Sequence, residues 1–384
     1  MIPNTEAGLR MPAEWEPHDC TWLAYPRLAS DWPGKLWPVR WALVEFARKL
    51  AGSERVELIV QDPRERRLAM GALRRAGADT TRVRCHQLPT DRSWLRDSGP
   101  TFVLQGQRLR AVCWGFNAWG RYANWQADRQ VAPFIAQHAE ARPIEPRALG
   151  RRVIMEGGAI DSNGGGSILS TEQCLLATGR HARNPGLTRD EIEAVLAQAV
   201  GATNVLWLTG GIAGDDTGGH VDTVARFAGP SLVVAAVETD RRDPNHRPLA
   251  ENLKRLRSMR DERGRQMDIA ELPMPERLEF DGWRLPASYA NFYIANGAVL
   301  VPTFNDPNDR VALRVLEECF PGREVCGIHC VDLVLGQGTL HCLAQQQPAS
   351  RLALKDPATK PTHDPADGHN VGVGSVNVLP DCPV

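Results

Sequence analysis

The sequence predicts an α/β protein, on two observations. Amphipathic stretches with helical spacing alternate with short apolar runs along the chain, and several of those runs end in a glycine beside a polar residue. The first strand is 20–25, apolar and bracketed by Pro17 and Pro26. Residues 36–51 carry apolar side chains at helical spacing, Trp41, Val44 and Leu50 among them, and 57–60 is a buried strand. Residues 64–76 set Leu68, Met70 and Leu73 against five arginines as a second amphipathic helix, and 83–88 returns to strand.

From Ser93 the spacing changes. Trp94-Leu-Arg-Asp-Ser-Gly-Pro100 ends in a Gly-Pro turn with Asp97 just before it, and 101–104 and 109–114 form a hairpin about Gln105-Gly-Gln107. Residues 116–120 are a loop, 128–140 a helix and 152–158 a strand that ends at Glu156. Gly164-Gly-Gly166 is a hairpin tip, and without a following Gly-Lys-Ser/Thr it is no phosphate loop. Thr188, with Glu191 three residues on, caps a helix that runs to Val200 and stops at Gly201. Strand 205–208 follows, and 220–227 alternates so that His220, Asp222 and Val224 leave one face. Strand 232–237, helix 249–260, strand 292–301, helix 309–320 and strand 324–334 continue the theme. After Pro348 the composition turns to Pro, Asp, His, Gly and Lys, and 349–384 reads as a tail.

A chain of 384 residues has room for two or three domains, yet a single α/β barrel or propeller also reaches this length. With 42% hydrophobic residues, 24% charged residues and a net charge of −1, neither a nucleic acid nor a membrane surface is the expected partner. A small molecule or a peptide is. No apolar run approaches the ~18 to 20 residues of a bilayer span, and the first residues lack a basic-then-apolar leader, which points to a soluble cytoplasmic protein. Nine scattered cysteines make an odd number without the density of a disulfide scaffold, so reduced thiols are expected. The group Cys326, His329, Cys330, His341 and Cys342 fails as a zinc site. It has no Cys-x-x-Cys pair, and the alternation of 324–335 sends Cys326 and His329 to opposite faces. No metal and no cofactor is expected.

Cys342 follows the glycine-rich bend Gly336-Gln-Gly338 and sits beside His341, a setting that suits a nucleophile. An isolated thiol with a pKa near ~8.5 supplies only a few per cent of thiolate at neutral pH, so other residues must help. On the predicted strand, His220 and Asp222 point into one site, with Gly218 and Gly219 clearing space ahead and Asp215 and Asp216 adding negative charge. Glu156 ends an apolar run before two glycines, where a carboxylate is costly unless it finds a partner. Asp97, next to Arg96, reads by itself as half of a surface ion pair. Trp94 and Trp119 read individually as core aromatics, although an indole face also holds a cation. Together Asp97, Glu156, His220, Asp222 and Cys342 describe a cation pocket with a thiol nucleophile and an acid–base group. A guanidinium is its natural occupant, because its planar fork of N–H donors matches paired carboxylates.

The wording of the motifs goes further. Trp94-Leu-Arg-Asp-Ser-Gly-Pro100, Phe116-Asn-Ala-Trp-Gly120, Glu156-Gly-Gly158, Glu172-Gln-Cys-Leu-Leu176, Arg183-Asn-Pro185, Gly219-His-Val-Asp222, Ala287-Ser-Tyr-Ala-Asn-Phe-Tyr293 and His341-Cys342 with Gln345-Gln346 resemble the agmatine deiminase family. That family belongs to the bacterial peptidylarginine-deiminase-like branch of the guanidino-group-modifying enzymes. The resemblance covers residues 10–348 in order and implies one domain there. It further implies a five-bladed α/β propeller (the pentein fold) with pseudo-fivefold symmetry, a site on the central axis and no metal.

Residue by residue, the resemblance implies Cys342 as nucleophile, His220 as general acid–base and Asp97 with Asp222 as guanidinium clamps. Glu156 then supports the guanidinium and His220, Trp94 and Trp119 line the substrate channel, and Asp215 and Asp216 lie toward the substrate's distal end. The implied reaction turns a guanidino group into a ureido group plus ammonia, giving N-carbamoylputrescine from agmatine on a route to putrescine and polyamines. Arginine and peptidyl-arginine are the alternative substrates, and a metal-dependent hydrolase releasing urea or a catalytically silent binder are the competing readings. The metallohydrolase needs several His and Asp ligands where this chain offers one His-x-Asp. Homo-oligomerisation, as a dimer, is left open. The chain departs from the family at Gly336-Gln-Gly-Thr339, where three glycines and an Asn are frequent, at Thr223, where a second aspartate is typical, and at Ser98, where a cysteine is frequent. These changes leave the catalytic set whole and bear on the substrate's far end.

Overall fold

The computed structural model describes residues 8–179 and 182–350, so the tail expected over 349–384 lies, beyond Ser350, outside the described residues. Among these residues, five sheets of three or four strands share one plan: an antiparallel pair, then a helical crossover to a strand parallel to the second of the pair. A parallel neighbour needs such a crossover, which is why helices and strands alternate in the sequence. Thr101–Gln105 and Arg108–Val112 are followed by helix Val131–His138 and strand Arg142–Ile144. Ile160–Ser162 and Ser167–Thr171 are followed by helix Arg189–Val200 and strand Asn204–Leu208. Ala225–Phe227 and Leu232–Val237 lead through His246–Ser258 to Asp268–Pro273. Tyr293–Ile294 and Ala298–Thr303 lead through Asn308–Cys319 to Glu324–His329. In the fifth sheet the pair is made by strands from opposite ends of the described chain, Gln345–Pro348 and His18–Ala24. Helix Leu36–Leu50 then leads to Arg55–Val60, and helix Pro63–Arg75 to Val83–Gln87.

Local signals fix most of these elements. The Thr188 side chain and Glu191 form the expected capping box, and Gly201 ends the helix in the left-handed region at φ 72°. Helix Leu36–Leu50 buries Val39, Leu43, Phe46 and Leu50, but Trp41, expected on its apolar face, is 66% exposed.

Several expected strands are interrupted, each for a visible reason. Arg152 ends the short strand Arg151–Arg152, paired with Arg147–Ala148, and beyond it residues 153–158 make only an isolated bridge between Ile154 and Gly115 before the 3-10 turn Gly157–Ala159. The amide of Asn184 occupies both backbone groups of Ile154, at 2.9 and 2.7 Å, where ladder partners would be. Residues 292–301 are a hairpin rather than one strand, because Asn296 is held at the bend by His18 N at 2.8 Å and His18 O at 2.9 Å. Strand 324–334 stops at His329, opposite the last residue of its partner Ala298–Thr303, and gives way to the 3-10 turn Leu333–Gly336. Cys326 is nevertheless buried and His329 exposed, on opposite faces as expected.

The region 220–227 is the correction that matters most for the site. It is a 3-10 turn, Val221–Thr223, followed by the short strand Ala225–Phe227. Gly218 and Gly219 take φ of +84° and +99°, which an L side chain resists, and Asp215 accepts from Thr217 N at 2.8 Å and Gly219 N at 2.7 Å. The loop thus satisfies its own backbone and has no need of a ladder. His220 and Asp222 converge through this turn and not through strand periodicity.

Strand Gln345–Pro348 carried no apolar signal. Its glutamines are buried and bonded instead: Gln347 Oε1 accepts the indole N–H of Trp22 at 3.0 Å, and Ala349 N reaches Pro17 O at 2.8 Å just beyond the strand.

Candidate active site

Four short turns supply the candidate residues. Asp97 lies in Leu95–Ser98, Glu156 directly precedes Gly157–Ala159, His220 and Asp222 belong to the turn Val221–Thr223, and Cys342 lies in Leu340–Leu343. All five side chains are buried, His220, Glu156 and Asp222 completely. Gly158 is what allows the cluster to close. A Cβ there would stand 2.6 Å from His220 Nδ1 and 3.0 Å from both Asp222 Oδ2 and Asp97 Oδ1.

Asp97 is not half of a surface ion pair. Its neighbour Arg96 turns away to Gln346 Oε1 at 2.7 Å and Glu14 Oε2 at 3.2 Å. The Asp97 carboxylate accepts instead from Trp119 Nε1 at 2.9 Å and Gly158 N at 3.2 Å. Trp119 and the preceding Ala118 hold left-handed backbones, φ 58° and 49°, a strained conformation that the surroundings must enforce. Asp222 Oδ2 lies 2.7 Å from His341 Nδ1 and 3.6 Å from Cys342 Sγ, while its Oδ1 is buried with no hydrogen-bond partner among the described residues.

The His220 ring is in the same condition, with neither nitrogen hydrogen-bonded. Nε2 stands 3.6 Å from Glu156 Oε2 and Nδ1 3.8 Å from Asp97 Oδ1, close enough for Coulomb attraction and too long for hydrogen bonds. Buried polar atoms without partners are costly, and these belong to side chains that share the space over Gly158. Cys342 is oriented by Asn291, which donates to Sγ at 3.2 Å, accepts the Cys342 N–H at 3.4 Å and is itself fixed by Thr339 Oγ1 at 2.7 Å.

The electrostatics follow from this packing. Burial raises Asp97, His220 opposes it, and Asp222 and Glu156 add to the rise, leaving Asp97 at about 6. Burial would also raise Glu156 and Asp222, but Arg183 and His220 outweigh it at Glu156, as His341 and His220 do at Asp222, so both sit below the ordinary carboxylate range. Burial alone would strip the proton from His220. Asp97 first, then Cys174 and Glu156, reverse this and hold it well above the usual imidazole range. Burial, then Asp222 and Asp97, push the Cys342 thiol well above its ordinary value, against a smaller pull from Asn291 and the Thr339 backbone.

Two supports carry no role in the sequence reading, although Arg183 heads one of its motifs. Glu14 is a buried hub that meets Arg226 at 3.0 Å, Arg96 at 3.2 Å and His341 Nε2 at 2.9 Å, and accepts Ile294 N at 2.8 Å, so it anchors His341 and, through it, Asp222. Arg183 places its Nε 3.2 and 3.3 Å from the two oxygens of Glu156. The pocket above the thiol is lined by Trp94, Asp97, Trp119, Tyr122, Asp216 and Cys342. Asp216 accepts the Tyr122 hydroxyl there. Asp215, expected beside it as a substrate contact, is instead turned into its own loop by the Thr217 and Gly219 bonds and does not line the pocket.

Residues 10–348 match the family described as Porphyromonas-type peptidyl-arginine deiminase. The chain is 36% identical over 372 residues to an agmatine deiminase of Pseudomonas aeruginosa, covering 90% of this chain and 97% of that protein. It superposes on the agmatine deiminase of Enterococcus faecalis with a TM-score of 0.82 at 31% identity, over 91% of this chain and 98% of that one. A C. jejuni agmatine deiminase with substrate bound gives 0.79 at 28%, over 89% and 97%. With one family match spanning residues 10–348 and a relative more than a third identical across nine-tenths of the chain, the chain belongs to the agmatine deiminase family.

Proposed function

We propose that the protein is a cysteine-dependent agmatine deiminase, converting agmatine and water to N-carbamoylputrescine and ammonia. The observation that carries this reading is the set of unpaired buried atoms, Asp222 Oδ1 and both His220 nitrogens, beside a thiol 3.6 Å from Asp222 Oδ2. A guanidinium between Asp97 and Asp222 supplies the donor that Asp222 Oδ1 lacks and neutralises the two carboxylates that hold the thiol up. The Cys342 S–H bond then breaks, its proton passing to solvent, and the sulfur bonds to the guanidinium carbon. As that tetrahedral centre collapses, the C–N bond breaks and the His220 proton leaves with ammonia. A thiouronium remains on Cys342. The neutral His220 takes a proton from water, whose oxygen attacks the same carbon, and the C–S bond breaks as the hydroxyl proton passes to sulfur, releasing the ureido product and the thiol. Glu156, fixed by Arg183, keeps His220 oriented and charged between turnovers. Asp216 with Tyr122, at the pocket lining, meets the distal ammonium of agmatine.

The recurrence of one plan in five sheets supports a five-bladed propeller over residues 10–348 as a single domain, with the turns above gathered at its axis. No helix among the described residues is long and apolar enough to cross a membrane. A reducing, cytoplasmic setting suits a nucleophile that must stay a thiol.

A panel of agmatine, arginine and peptidyl-arginine, scored separately for ammonia and urea, tests the reading. Agmatine should give ammonia at the highest kcat/KM, and prolonged chelation should leave the rate undiminished. Urea as product, or a rate restored by manganese, would replace it with a metallohydrolase. A second measurement checks the thiol. Because Cys342 is held well above the ordinary range, its alkylation by iodoacetamide in the free enzyme should keep accelerating through about pH 9. A plateau below neutrality would mean that the thiolate is already formed without substrate.

A further inference from the structure

Cys174 has no part in the reaction above, yet it stands against the acid–base histidine. It lies in the short helix Glu172–Leu175, where Thr171 Oγ1 accepts its N–H at 3.1 Å and donates to Gly219 O at 2.5 Å, tying this helix to the His220 turn. Cys174, His220 and Glu156 are all fully buried, and one ligand atom from each (thiol sulfur, imidazole nitrogen, carboxylate oxygen) lies within 4.8 Å of the other two. Among the described residues it is the one trio of potential metal ligands so close together. The His220 nitrogens have no hydrogen-bond partner there, so the imidazole of this set is left without a protein partner, while Glu156 is held by Arg183.

We propose that Glu156, Cys174 and His220 form an inhibitory site for zinc, or a divalent cation of similar softness, which takes His220 out of the reaction and leaves Cys342 untouched. Only the inhibition rests on the acid–base role given to His220; the binding does not. A sulfur, nitrogen and oxygen set is zinc chemistry, and tetrahedral bonds of ~2.0 to 2.3 Å place ligand atoms roughly 3.3 to 3.8 Å apart. His220 Nε2 and Glu156 Oε2 are already 3.6 Å apart, so the sulfur closes by no more than about 1.5 Å. Charge does not oppose the exchange. As the Zn–S and Zn–N bonds form, the thiol S–H and one imidazolium N–H break and both protons go to solvent. One dication and one thiolate then carry the charge that the imidazolium carried. Arg183, on Glu156, therefore meets no added positive charge. Hard cations such as magnesium gain nothing from the thiolate and should not bind.

The test uses the full chain with the nucleophile removed, Cys342→Ser. Cobalt(II) should give a thiolate-to-metal charge-transfer band that saturates at one equivalent and is displaced by zinc, and the band should vanish when Cys174→Ser or Cys174→Ala is added. In the otherwise native enzyme, zinc should inhibit and a chelator restore the rate. Cys174→Ser, measured against its own metal-free rate, should need at least about tenfold more zinc, since loss of a ligand exceeds the 10- to 100-fold cost of losing an outer partner. A band that survives without Cys174, or one that appears only when Cys342 is present, overturns the site. Unchanged zinc sensitivity in Cys174→Ser overturns the inhibition. Melting curves matched to the parent are required of each variant. Should both Cys174 variants misfold, Glu156→Gln in the same background decides, and an unchanged cobalt affinity there overturns the proposal. The cobalt band does not depend on turnover, so it reports on the site even if the deiminase reading fails.

Discussion

Cys342→Ser should leave no measurable turnover, a fall on the order of a million-fold, the scale on which loss of a nucleophile acts. The hydroxyl is far harder to ionise than the thiol, and the pocket already resists a negative charge at this position through burial, Asp222 and Asp97. The substitution is nearly isosteric, and Asn291 can bond an oxygen as it bonds the sulfur, so the fold and the carboxylate pair should survive. Agmatine should therefore still bind, and calorimetry on the variant would show it. Residual turnover within tenfold of the native rate would remove Cys342 from the mechanism, whatever the binding result.

The second large effect belongs to the clamp. Asp222→Asn can keep its bond to His341 through the remaining oxygen and place its amide where Oδ1 now has no partner, so the protein around it should tolerate the change. A guanidinium arriving there would meet a donor where it needs an acceptor. Asp97→Asn is less innocent, because both Asp97 oxygens accept protein N–H groups, from Trp119 and Gly158, and the new amide must oppose one of them. Charge-assisted bonds are roughly twice as strong as neutral ones, and misalignment by itself costs about a hundredfold, so kcat/KM should fall by at least 10²-fold in both. Asp97→Asn should also lower the melting temperature. Asp216→Asn, at the pocket lining, should mainly raise KM for agmatine and change its preference over arginine. If the Asp97 and Asp222 variants keep near-native kinetics while Asp216→Asn loses all chemistry, the guanidinium lies at the other end of the pocket.

Local signals carried the reading of the fold. Thr188 with Glu191, the Gly201 stop, the hairpin at Gly164-Gly-Gly166 and the helical spacing of 36–51 depend on neighbours in the chain, and each appears where the sequence placed it. The interrupted strands depend on distant partners: Asn184 on Ile154, Asn296 on His18, the end of Thr303 opposite His329. No periodicity encodes those meetings. The candidate site divides in the same way. The motifs named the five residues that cluster, but the strand argument that paired His220 with Asp222 gave a right result from a geometry the chain does not adopt. Asp215 and Asp216 are adjacent in sequence and equally acidic, and only the bonds of the loop separate the one that braces it from the one that lines the pocket. Glu14 was invisible because its partners Arg96, Arg226, Ile294 and His341 are all far along the chain. Asn291 stood inside a recognised motif, yet nothing local showed that its amide faces the sulfur.

The strand Gln345–Pro348 begins two residues after Leu340–Leu343, the turn that bears Cys342, and among the described residues its only hydrogen-bonded neighbour in the sheet is His18–Ala24. The thiol is therefore positioned by a strand, His18–Ala24, that is synthesised before the antiparallel pairs of the other four sheets and waits for its mate until all of them have been made. Until that mate arrives, the nascent protein holds its clamp carboxylates with no sulfur between them. A ribosome-bound chain halted before Gln345 should be catalytically inert, and activity should appear once Gln345–Pro348 has paired rather than accumulate sheet by sheet.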